Sequence, residues 1–114
     1  MNYHIEISGL SLPDAFRLFG NGTTLESGAT IELPEGGRLQ YRGMIERRAV
    51  GAEGIVELML EIGTAVGAGV AANYIYDKLR RKNSRITIDR TEIEFEEGKI
   101  KKFLQEKITK DERP

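Results

Sequence analysis

Three features of this 114-residue sequence predict an α+β fold. Stretches with the two-residue alternation of half-buried strands lie near both ends, from Tyr3 to Ser8 and from Arg85 to Phe95. Most strand pairs are joined by loops too short for a crossover, which favours an antiparallel or mixed sheet with helices packed on it. A segment without proline, Glu53 to Lys82, reads as one long helix whose second half is rich in glycine and alanine.

Taken in order, the expected elements are β-α-β-β-α-β-β-α. Tyr3, Ile5 and Ile7 alternate with His4, Glu6 and Ser8 in a first strand. Ser11 can cap a short helix, with Pro13 and Asp14 in its first turn, Gly20 as its stop, and Leu12, Ala15, Phe16 and Phe19 inward. Asn21-Gly22 signals a turn. A strand from Ala29 to Leu33 places Ile31 and Leu33 inward, and Pro34-Glu35-Gly36-Gly37 makes the loop to a strand from Arg38 to Arg42. Gly43 to Gly51 is the expected hinge. In the long helix, Glu53, Glu57 and Glu61 recur every four residues as a solvated stripe. Asn83-Ser84 ends it. A tight hairpin turns at Asp89-Arg90, with Ile86 and Ile88 facing Ile93 and Phe95. A short amphipathic helix buries Ile100, Phe103, Leu104 and Ile108. Residues 1–108 are expected to form one domain and 109–114 a polar tail. The first six elements have the order of a ferredoxin-like unit.

Composition narrows the function classes. Seventeen basic against eighteen acidic residues give a net charge of −1, which lacks the basic footprint of a nucleic-acid binder. The absence of cysteine removes disulfides, thiolate metal sites and cysteine nucleophiles. The first residues lack the basic start and apolar run of a signal peptide, so a cytoplasmic protein is expected. The uncharged run Ile62 to Tyr76 is shorter than the about 20 apolar residues a membrane span needs and carries three glycines and Asn73, so a membrane partner is not expected.

Each chemical motif has a simpler structural reading. Gly67-Ala68-Gly69-Val70-Ala71-Ala72 matches a relaxed dinucleotide fingerprint, with Asp89 at the spacing of a ribose ligand. The glutamates of the preceding segment fit a helix better than the buried strand that motif needs. His4 is the single histidine and stands without a nucleophile or metal-ligand set. Lys78, Arg80, Arg81, Lys82 and Arg85 complement a helix C-terminus. Glu92, Glu94, Glu96 and Glu97 form an acidic ridge beside the last helix, where the dipole favours carboxylates. No catalytic residue, metal ligand or cofactor is expected.

The glycines suit close packing instead. Gly63, Gly67, Ala68, Gly69 and Ala72 fall at spacings that let another backbone approach, within the chain or between copies, and a homo-oligomer is expected. Each interior glycine costs a helix about 1 kcal/mol relative to alanine, so three of them call for a compensating contact.

The small-residue helix from Val66 to Tyr76 ends in the basic run from Lys78 to Arg81. The strand pair Ile86-Thr87-Ile88 and Glu92-Ile93-Glu94-Phe95 and a terminal helix follow. Over residues 54–108 this layout resembles the small effector-associated constant components encoded beside bacterial conflict effectors. The hairpin is tighter here, residues 20–50 add a strand pair, and no functional residue carries over. The resemblance implies a non-enzymatic interaction module, a partner or adaptor of another protein in bacterial defence or conflict. Two alternatives stand beside it: a phage-type inhibitor acting through the acidic ridge, and a peripheral membrane protein using the Gly/Ala helix.

Overall fold

In the computed structural model, residues 2–10, 12–19, 26–46, 54–79 and 85–111 are described. The alternating first segment forms β1 (Asn2–Leu10), followed by α1 (Leu12–Phe19) and a three-residue strand, β2 (Thr30–Glu32). A tight turn at Pro34–Gly36, with Glu35 and Gly36 at positive φ, leads into β3 (Arg38–Glu46). Next come β4 (Gly54–Glu61), α2 (Ala65–Leu79), the hairpin of β5 (Arg85–Ile88) and β6 (Thr91–Ile93), and finally α3 (Glu97–Asp111).

The sheet has six strands in the order β2-β3-β4-β1-β5-β6, and every neighbouring pair is antiparallel. Strands β1 and β3 therefore run the same way with β4 between them, and α1 lies on the chain path between that pair. Strands β4 and β5 likewise flank β1, with α2 on the path between them. The α+β class is as the alternation and the short loops predict. The ferredoxin-like order is also present, but it is carried by β1-α1-β3-β4-α2-β5. The expected second strand is instead a short edge addition.

The single long helix does not exist. Its first half is β4, in which Gly54, Val56, Leu58 and Leu60 are buried while Ile55, Glu57, Met59 and Glu61 face outward. Four-residue spacing of Glu57 and Glu61 is also an even number of strand residues, so one solvated helix stripe and one outward strand face give the same pattern. The helix begins after Ile62-Gly63. Thr64 caps it, its Oγ1 accepting the Gly67 N–H at 3.0 Å while its carbonyl accepts the Ala68 N–H at 3.0 Å.

Two further boundaries move. Strand β3 continues to Glu46, past a bulge at Arg42-Gly43 opposite Glu57, so the first part of the expected hinge is sheet. The remainder of that hinge, with Arg47-Arg48, lies outside the described residues, as do Glu53, Ser11, Gly20 to Gly22, Arg80 to Ser84 and the last three positions. Helix α3 is fifteen residues long and reaches Asp111, through the first half of the expected tail. The Asp89-Arg90 turn is as expected, with φ of 47° and 70° that match a two-residue type I′ hairpin.

One core joins the inward sheet face to all three helices. It contains Tyr3, Ile5, Ile7, Leu39, Tyr41, Val56, Leu58, Leu60, Ile86 and Ile88 from strands. Leu10 at the end of β1, Leu33 and Ile62, Ala15, Leu18 and Phe19 of α1, Ala68, Ala71, Ala72, Ile75 and Leu79 of α2, and Ile100, Leu104 and Ile108 of α3 complete it.

Candidate functional site

Because the helices share one face of the sheet, the outward strand positions make a second, uncovered face. Its centre is built by β1 and β4. Alternation sends His4, Glu6 and Ser8 outward from β1, and the register sets His4 opposite Met59, Glu6 opposite Glu57 and Ser8 opposite Ile55. Thr87 of β5 lies on the other side of Glu6, and Glu92 of β6 lies opposite Thr87. Gln40 of β3 stands beside Met59. One row across the sheet thus reads Glu57, Glu6, Thr87, Glu92.

Two carboxylates directly opposite each other on neighbouring strands repel. The imidazole of His4 lies against both, with Nδ1 3.6 Å from Glu6 Oε1 and Nε2 3.9 Å from Glu57 Oε2. All three side chains are about a third exposed. Among the described residues, no cluster of three or more His, Cys, Asp or Glu groups has an arrangement that could hold a metal ion. Arg42, at the bulge facing Glu57, turns its guanidinium toward Gln40 Oε1 at 3.3 Å.

His4 is more constrained than a solvated strand residue. Its N–H donates to Asp89 Oδ1 at 2.9 Å, and its carbonyl accepts the Asp89 N–H at 2.8 Å. The second Asp89 oxygen is 3.2 Å from Lys107 Nζ of α3. Asp89 therefore ties the hairpin turn to β1 and α3. This also disposes of the dinucleotide fingerprint: Gly67 and Gly69 lie inside α2, β4 is antiparallel to both its neighbours, and Asp89 is engaged. A strand does precede the motif, contrary to the ground on which the sequence argues against it.

The acidic ridge divides. Glu92 belongs to the open sheet face. Glu94 Oε2 is 3.1 Å from Lys99 Nζ, and that hydrogen bond, with the charge of Glu94, raises the Lys99 ammonium above its ordinary pKa. The Glu96 carbonyl accepts the Lys99 and Ile100 N–H groups, and Glu97 opens α3. These last three glutamates serve the helix start.

The small residues of α2 divide as well. Gly67, Ala68 and Ala72 are buried within the chain. A Cβ at Gly67 would lie 3.2 Å from Thr64 Oγ1 and 3.6 Å from the Glu35 carbonyl, so this glycine does face another backbone, that of the Pro34–Gly36 turn. A Cβ at Gly69 would lie 3.3 Å from the Lys101 Cε of α3, and one at Gly63 would meet nothing within 4 Å among the described residues. Tyr74 Oη donates to the Leu18 carbonyl of α1, and Gln105 Nε2 donates to the Ala65 carbonyl at 3.1 Å. Helix α2 is thereby held between α1 and α3. Its outer side leaves a shallow groove against α3 beside Val66, which is 62% exposed. Of the basic cluster, Lys78 lies over the Tyr74 ring at 5.7 Å and Arg85 is exposed on β5.

The central face escapes sequence reading because its two halves come from β1 and β4, and the second reads as helix. The outward set His4, Glu6 and Ser8 was visible; the partner that puts Glu57 opposite Glu6 was not. No protein-family model, no curated protein and no solved structure matches the chain.

Proposed function

We propose that this chain is a non-enzymatic interaction module that receives another protein on the open face of its sheet. The observation behind the reading is the one-sided architecture: three helices and the core occupy one face, and the opposite face presents His4, Glu6, Gln40, Glu57, Met59 and Thr87 at half burial. A role as partner or adaptor in bacterial defence or conflict rests on the resemblance in layout alone. The Gly/Ala helix gives little support to a peripheral membrane role, since Gly67, Ala68, Ala71 and Ala72 are spent inside the fold. A homo-oligomer through α2 would have to use Gly69, Val66 and Val70, because Gly67, Ala68 and Ala72 are already covered.

A photo-crosslinking residue at Thr87, compared with one at Asn73 on the outer side of α2, tests the proposal in extract of the source cells. Protein adducts that form from Thr87 and not from Asn73 are expected; equal labelling, or labelling from Asn73 alone, overturns it. The inhibitor reading has its own supporting observation, the Glu6–Glu57 pair, bridged by the single imidazole of His4, with Glu92 in the same row, which suits a basic target surface. That reading requires the Glu6→Gln, Glu57→Gln variant to lose the Thr87 adduct at low salt. Retention of the adduct leaves the module and removes the acidic mode of docking.

A further inference from the structure

We draw no further inference here: the strongest candidate, the shallow groove between α2 and α3 beside the exposed Val66, is an apolar face, and nothing in the structure shows what covers it.

Discussion

Gly67 and Gly69 lie two residues apart on α2 and meet different kinds of atom, so the same substitution should move stability in different directions. At Gly69 a new methyl group would meet the far end of the Lys101 side chain. Lys101 is exposed and can swing away, so Gly69→Ala should collect most of the helix-propensity gain, about 1 kcal/mol. At Gly67 the methyl would press on Thr64 Oγ1, the atom that caps the helix, with the Glu35 carbonyl behind it. Moving the hydroxyl costs a cap worth about 1 kcal/mol, which cancels the gain. The expected result is a higher melting temperature for Gly69→Ala and an unchanged or lower one for Gly67→Ala. A clear rise for Gly67→Ala would mean that the turn at Pro34–Gly36 does not lie against the helix. Gly67→Leu, which must also displace backbone, should cost about 1–3 kcal/mol.

Strand β4 is the element where sequence and structure part, and it offers its own test. Glu57 faces Glu6 across the β1–β4 ladder. Opposite charges in such a pair contribute roughly 0.2–1 kcal/mol, whereas like charges cost stability. Glu57→Lys should therefore stabilise the fold by a few tenths of a kcal/mol or more, and the gain should vanish when Glu6 is already glutamine. A gain that persists beside Glu6→Gln would show that Glu57 does not act on Glu6. The ends of the chain were legible because Tyr3, Ile5 and Ile7 alternate cleanly with polar residues, as do Ile86 and Ile88. Alternation in β4 is blurred by Ile55 and Met59, two apolar side chains on the outward face. Its glutamates recur at a spacing that both periods satisfy. The better signal was Gly63-Thr64, a break followed by a capping threonine just before the uncharged run. The hairpin was legible from its length even though neither Asp89 nor Arg90 is glycine, the usual residue at positive φ. The acidic ridge was legible as composition and not as a surface, since the ion pair of Glu94 with Lys99 depends on how the chain turns into α3.

At the scale of the whole molecule, two phenols, one buried and one half-buried, hold α1 to the rest of the fold. Tyr41 of β3 packs edge-to-face on Phe19 of α1, with ring centroids 5.8 Å apart, and Tyr74 of α2 donates to the Leu18 carbonyl. Burial raises both above the ordinary tyrosine value of 10.0, because the phenolate would lose its water. A group whose pKa is higher in the folded state contributes stability that is fully present below the unfolded value. That contribution is lost as pH climbs through the folded one. The loss should therefore begin near pH 10 and grow above it. Lys99, raised by Glu94, acts in the same direction, so the decline in wild type alone does not isolate the tyrosines. Comparison with the Tyr41→Phe, Tyr74→Phe variant does. At neutral pH the variant should be less stable, by about 1 kcal/mol for the lost Tyr74 hydrogen bond. Between about pH 9 and pH 11 its melting temperature should fall less steeply than that of wild type, because two of the groups that link folding to protons are gone. The core joins all three helices to one sheet face, so the difference should register in a single unfolding transition and not in the separate melting of α1. Parallel declines in the two proteins would mean that these phenols reach water in the folded state and that α1 does not close over them.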